Sequence, residues 1–211
     1  MDSRLYLVTG HQFLNGRSLE SVIRAAISGG VDCVQLREKD FTGRELLEAG
    51  RLIRHITREL HVTFIVNDRI DVARAVDADG VHLGQSDLPI QAARDILGPG
   101  KIVGLSTHNV QEAMEAERLG ADYIGLGPMR KTMTKLDTEP VVGPAGVKKV
   151  REHVSLPIVA IGGIKEDDVA EIIRSGASSV AVVSAIIASS DVEATARRMR
   201  QLVDHERGAQ G

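Results

Sequence analysis

Seven short polar clusters stand along the chain, each directly after a short apolar run: Gln35-Leu36-Arg37-Glu38-Lys39, Asn67-Asp68-Arg69, Gly84-Gln85-Ser86-Asp87, Ser106-Thr107-His108-Asn109, Thr132-Met133-Thr134-Lys135, Gly162-Gly163-Ile164 and Val183-Ser184. They contain two acids suited to a metal, Asp68 and Asp87, the cations Arg37, Lys39 and Lys135, several hydroxyls and a glycine pair. That inventory suits phosphorylated substrates and a divalent cation. Polar residues at the ends of buried strands are also where a parallel α/β barrel keeps its chemistry.

Asp68 follows the third apolar run and Asp87 the fourth. Neighbouring parallel strands lie about 4.8 Å apart, so the two carboxylates can converge on one ion. Few protein carboxylates, with positions left for phosphate oxygens, describe Mg²⁺. Alternatively, each acid caps the helix that follows it. Arg37 and Lys39 flank Glu38, and alternate residues at a strand end share a face, so both cations can meet one anion. Lys135 lies with Thr132, Thr134, Arg130 and Lys131 in a long loop, which reads either as a lid over phosphates or as a solvated, charge-rich loop. Gly162-Gly163 and Val183-Ser184 follow the seventh and eighth runs, where this fold binds phosphate through backbone N–H groups. The same glycines also suit an ordinary strand-to-helix turn. His82 and His108, near strand ends, read as hydrogen-bonding groups, because no histidine pair has zinc spacing.

Positioning these clusters requires a regular alternation of strands and helices, and the sequence supplies it. Strands are expected at 5–8, 33–36, 63–66, 81–83, 102–105, 123–126, 157–160 and 179–182. Helices are expected near 18–28, 43–60, 70–76, after Pro89, and near 110–119, 145–153, 166–175 and 191–206. Ser18 is the expected N-cap of the first. Four segments, Gly29-Gly30-Val31-Asp32, Ala78-Asp79-Gly80, Gly120-Ala121-Asp122 and Gly176-Ala177-Ser178, mark helix-to-strand turns. Eight units averaging about 26 residues favour a single-domain (β/α)₈ TIM barrel over residues 1–211. An open doubly wound sheet permits the same alternation, but no early glycine-rich dinucleotide turn supports it. The last few residues, from Arg207, are expected to fray.

The chain has 211 residues and a net charge of -3, so no global field draws it to nucleic acid or anionic membrane. Aromatics make up 2%, with no Trp, which argues against stacking platforms for single strands and leaves the core to Val, Ile, Leu and Ala. No apolar stretch reaches the roughly 18 residues of a membrane span, and Met1-Asp2-Ser3-Arg4 runs straight into a strand rather than a signal peptide. The lone Cys33, in an apolar run, reads as a small buried hydrophobe. A reducing, cytoplasmic setting is expected.

In order and spacing, from about Tyr6 to Ile186, the seven clusters resemble the thiamine-phosphate synthase (thiamine-phosphate pyrophosphorylase) family. The resemblance implies a transferase that joins hydroxymethylpyrimidine diphosphate to the nitrogen of hydroxyethylthiazole phosphate and releases pyrophosphate. It implies that Gln35, Leu36, Arg37, Glu38, Lys39, Asn67, Ser106 and Lys135 hold the pyrimidine diphosphate, with Asn67 on the ring. Thr132, Met133, Thr134, Gly163, Val183 and Ser184 would hold the thiazole phosphate, and Asp68 and Asp87 would ligate Mg²⁺. Arg37, Lys39, Lys135 and Ser106 are then the catalytic group. The sequence departs from the family where Arg130 and Lys131 stand in place of an aromatic and a proline. A thiazole tautomerase of the same fold would need no diphosphate site, and a non-catalytic thiazole-phosphate binder would need no paired acids. The intact cations and acids favour the synthase.

Overall fold

Eight short runs of Val, Ile, Leu and Ala are buried on both faces, as parallel strands covered by helices must be. In a computed structural model that describes residues 2–131 and 140–209, they pair in sequence order into a closed parallel barrel. The strands are β1 Leu5–Val8, β2 Cys33–Leu36, β3 Thr63–Asn67, β4 Gly80–Leu83, β5 Ile102–Thr107, β6 Tyr123–Leu126, β7 Ile158–Ile161 and β8 Ser179–Val182. Closure is made by β1 against β8, with Tyr6 opposite Ala181. The helices between them are α1 Leu19–Ser28, α2 Gly43–Glu59, α3 Ile70–Ala75, α4 Ile90–Leu97, α5 Val110–Arg118, α6 Gly143–Arg151 and α7 Val169–Arg174. After β8 come a short α8, Ser184–Ile187, and α9, Val192–Gly208. The open doubly wound sheet is thereby excluded. Among the described residues no helix is long and apolar enough to cross a membrane.

Several boundaries differ from expectation. Asn67, Ser106 and Thr107 lie inside their strands, because β3 and β5 run further than their apolar stretches. The stretch 166–175 divides into a 3-10 turn at Glu166–Asp168 and α7. α8 has no counterpart among the expected helices; its four residues are too few to show a period. Arg207, expected in a frayed tail, is instead helical, and its guanidinium donates to the Ser178 carbonyl at 3.3 Å and to Asp2 at 2.9 Å. Ser18 caps α1 as expected, its hydroxyl accepting from the Ser21 N–H.

The recurrent turn segments have a specific task at the bottom of the barrel. Asp32, just before β2, accepts from the Arg4 and Leu5 N–H groups at the entry to β1, at 3.0 and 3.2 Å. Asp79, before β4, accepts from Phe64 N–H of β3 at 2.8 Å, and Asp122, before β6, from Val103 N–H of β5 at 2.7 Å. Ser178, before β8, accepts from Ile158 N–H of β7 at 3.3 Å. Each residue thus satisfies a donor at the start of the strand preceding its own. Arginines on the outer helices close the three acidic sites: Arg200 on Asp32, Arg54 on Asp79 and Arg94 on Asp122, at 3.2, 3.0 and 3.0 Å. These contacts lie at the stability face of the barrel, opposite the strand C-termini. Asp122→Ala is expected to destabilise the fold by about 1–3 kcal/mol, because a buried backbone donor loses its partner. Urea unfolding should show that loss while kcat stays unchanged.

Strand alternation sends one set of side chains outward to the helices and the other into the barrel. Leu5, Leu7, Val34, Leu36, Val66 and Val81 join the helices in the large core, whereas Tyr6, Val8, Cys33, Ile65, Tyr123, Val159 and Ala181 form a separate inner cluster. Cys33 is fully buried there, and burial pushes its thiol pKa well up, so it behaves as the expected small hydrophobe.

Candidate active site

The inward-facing residues end in a cavity of about 1110 Å³ at the C-terminal mouth of the barrel. Lining it are Gln35, Arg37 and Lys39 from β2 and its exit, Asn67 and Asp68 from β3 and its exit, Asp87 from the β4 exit and Ser106 from β5. Gly163 follows β7, and Val183 and Ser184 follow β8. The expected residues within the described segments therefore converge, with two exceptions. Leu36 faces outward and is 1% exposed among core residues. Glu38 is buried and turned away from the cavity, accepting from His11 N–H at 3.1 Å and pairing with His11 Nδ1 at 2.8 Å. Both follow from the same alternation: with Gln35, Arg37 and Lys39 turned inward, Leu36 and Glu38 must turn away. Of the residues expected to hold the pyrimidine diphosphate, Leu36 and Glu38 therefore do not line the cavity. Thr132, Met133, Thr134 and Lys135 lie outside the described residues.

The exit of β2 is held by Arg37 N–H donating to Thr9 Oγ1 at 2.9 Å. The exit of β3 turns sharply. Arg69 N–H donates to Asn67 O at 2.6 Å, across an Asp68 with φ of +56°. A non-glycine residue in this region costs about 1–3 kcal/mol, and such strain gathers at functional sites. Asx residues tolerate it best. The turn brings the Asp68 carboxyl within hydrogen-bonding reach of Asp87. Asp87 is itself fixed by Gly84 N–H at 2.6 Å. Neither acid caps a helix: the N-cap residues of α3 and α4 are Arg69 and Pro89, and neither helix has a side-chain cap.

Burial, followed by the hydrogen bond and charge of Asp87, pushes the Asp68 pKa up to about 6, while Lys39 and Arg37 pull it down. Two neighbouring carboxyls, with Lys39 and Arg37 close enough to pull on Asp68, form a site a divalent ion can occupy. Among the described residues no group of three or more acidic, histidine or cysteine side chains is placed to hold a metal. The donor set therefore fits an ion that keeps most of its positions for water and phosphate oxygens, as Mg²⁺ does.

The opposite side of the cavity is built for close backbone approach. Gly162 and Gly163 have φ of +100° and +71°. A Cβ on Gly163 would lie 2.9 Å from Arg130 Cβ and 3.0 Å from the Lys131 carbonyl. The segment after β6 lies over this turn, with Met129 and Arg130 N–H donating to Ile161 O and Gly162 O, each at 2.9 Å. Arg130 is drawn outward onto Asp168 at 2.8 Å, while Lys131 lines the cavity. The two replacements thus divide: one clamps the base of the loop, the other adds charge to the site. Lys165 also lines the cavity; it is absent from the expected set, although it follows the glycine pair by only two residues.

Four further lining residues are absent from the expected set. Tyr6, Tyr123, Gln12 and Phe13 all contribute to the lining. Tyr6 and Tyr123 are almost fully buried inside the barrel, where sequence periodicity marks them only as core. His82 bonds Tyr123 and Ser106, each at 2.9 Å, and His108 bonds Glu112 at 3.0 Å, as expected of hydrogen-bonding rather than metal-ligating histidines.

Comparison with known proteins points the same way. The sequence profile of thiamine monophosphate synthase matches residues 5–186. The chain is 50% identical over 203 residues to a thiamine-phosphate synthase of Chloroflexus aurantiacus, covering 96% of this chain and 94% of the relative. To that of Shouchella clausii it is 48% identical over 196 residues, covering 93% and 94%. Its fold superposes on a thiamine phosphate pyrophosphorylase from Pyrococcus furiosus with a TM-score of 0.89, at 38% identity and 97% coverage of both chains.

Proposed function

From the premise that the chain belongs to the thiamine monophosphate synthase family, we propose that it transfers the aminopyrimidinylmethyl group of hydroxymethylpyrimidine diphosphate to the nitrogen of hydroxyethylthiazole phosphate. The single observation that carries this reading is the convergence of Arg37, Lys39, Asp68, Asp87 and Ser106 on one side of a cavity whose other side is the Gly162-Gly163 turn. One half suits a diphosphate, the other a monophosphate, and the space between them can hold two rings.

In this reading Gln35 and Asn67 orient the pyrimidine. Arg37, Lys39 and Lys135 hold the diphosphate and stabilise the charge that grows on it as the methylene–oxygen bond breaks. The bonding electrons leave with pyrophosphate, and the electron-rich ring spreads the positive charge left on the methylene carbon. The thiazole nitrogen, held over that carbon by its phosphate on Gly163, Val183, Ser184, Thr132, Met133 and Thr134, then supplies the pair for the new bond. No protein nucleophile is required, and the buried Cys33 thiol is unsuited to be one. Asp68 and Asp87 would hold Mg²⁺, which supplies charge neutralisation on the leaving group when bound. Cytosol, where a lone thiol stays reduced, suits the reading.

Pyrophosphate release tests it. Release that requires both substrates supports bond formation. Thiazole isomerisation without pyrophosphate release would replace the synthase with a tautomerase. Lys131→Ala is expected to raise KM for the thiazole phosphate about two- to fivefold with little change in kcat, because an exposed charge contributes roughly 0.2–1 kcal/mol. Steady-state kinetics in the two substrates separately would show it.

A further inference from the structure

A chain of side chains crosses the barrel along the cavity floor. Gln35 Nε2 donates to Tyr6 Oη at 2.8 Å. Tyr6 Oη lies 3.0 Å from Tyr123 Oη. Tyr123 Oη lies 2.9 Å from His82 Nδ1, and His82 Nε2 lies 2.9 Å from Ser106 Oγ. All five side chains line the cavity, and the two ends, Gln35 and Ser106, come from β2 and β5, three strands apart around the barrel.

Two glycines are shaped around this chain. A Cβ on Gly104 would lie 2.2 Å from the Tyr123 ring, and one on Gly125 would lie 2.8 Å from the His82 ring. Strand positions without a side chain thus give the two rings the space to reach each other. Burial pushes both phenols well above their ordinary pKa, so each keeps its proton.

A phenol has one proton to give. With the Gln35 amide donating to Tyr6, the acceptor within reach of the Tyr6 proton is Tyr123 Oη, and the acceptor within reach of the Tyr123 proton is His82 Nδ1. In that order Nδ1 is the bare nitrogen, and Nε2 carries the imidazole proton toward Ser106 Oγ. With its oxygen accepting, Ser106 has its hydroxyl proton left to turn into the cavity.

We infer that Tyr6, Tyr123 and His82 are positioning residues that fix a one-way hydrogen-bond chain, hold His82 as its Nε2–H tautomer and thereby present Ser106 to the diphosphate as a donor. The role given to Ser106 rests on the synthase reading; the tautomer and the direction of the chain do not. Gln35 is likewise left with its amide oxygen as the acceptor available to the pyrimidine. The chain would match one donor–acceptor pattern at both ends of a single substrate.

Nitrogen NMR on the full-length protein with labelled histidine tests the direction without any turnover. The His82 signals are assigned by their loss in His82→Gln. Near neutral pH a bare Nδ1 and a protonated Nε2 are expected, whereas a proton on Nδ1 would overturn the inference. Tyr123→Phe removes the donor to Nδ1. It should mix the two tautomers and lower kcat about tenfold, with KM for the pyrimidine diphosphate changed less than threefold. An unchanged kcat, or an unmixed Nε2–H signal in that variant, would also overturn it. If the protein makes no thiamine phosphate, the tautomer measurement still decides the chain, and the function fails separately.

Discussion

Asp68→Asn is expected to make the protein more stable and nearly inactive. Asp68 is half-buried, with its pKa raised from 3.8 to about 6 by burial and by Asp87. The native state therefore binds more protons than the unfolded chain between about pH 4 and 6, and stability falls as pH rises through that window. At pH 7 the full cost of the ionised group is present. A rise of that size corresponds to at most about 3 kcal/mol, but a partly exposed, screened group realises less, about 1 kcal/mol. Asparagine removes the charge, can still hydrogen-bond Asp87 and tolerates the left-handed backbone at φ +56° as well as aspartate does. The melting temperature should rise by about 2–4 °C at pH 7, and the gain should vanish below about pH 4, where aspartate is neutral in both states. Turnover should fall by about 10²–10³-fold, the usual cost of losing one fixed electrostatic contact to a transition state. Thermal melts at two pH values and initial rates check both halves. A variant that is less stable at pH 7, or that turns over at the wild-type rate, would contradict the role given to Asp68.

Arg37→Ala should cost as much activity by a different route. Arg37 lines the cavity at the exit of β2, and its backbone N–H is anchored on Thr9. Alanine keeps that anchor and removes only the guanidinium. Because the guanidinium faces a charge that grows during bond breaking, the loss should appear in kcat by about 10²–10³-fold. KM for the thiazole phosphate, bound across the cavity, should change little. The substitution should also relieve the downward pull of Arg37 on Asp68. The activity that remains should then need a higher pH. A pH–rate profile together with separate KM values would show this. A rise in KM alone would make Arg37 a ground-state binder.

The barrel was legible because buried parallel strands are continuous apolar runs and their partners around the barrel are sequence neighbours. The site was legible to the extent that it follows strand ends: Arg37, Asn67, Asp68, Asp87, Ser106, Gly163 and Ser184 all reach the cavity. Leu36 and Glu38 group with it in sequence because a motif does not distinguish the two faces of a strand, whereas the pleat sends them away. Tyr6 and Tyr123 are hidden for another reason. Their contact joins residues 117 apart, and only closure of the barrel brings β1 and β6 side chains together across its interior. The outward turn of Arg130 depends likewise on Asp168, which no local pattern links to it.

The most direct measurement combines purified protein, both phosphorylated substrates and Mg²⁺, with the product identified by mass. Thiamine phosphate that forms in this mixture and disappears on chelating the metal is the predicted result. No thiamine phosphate from folded protein that still binds the thiazole phosphate would contradict the account.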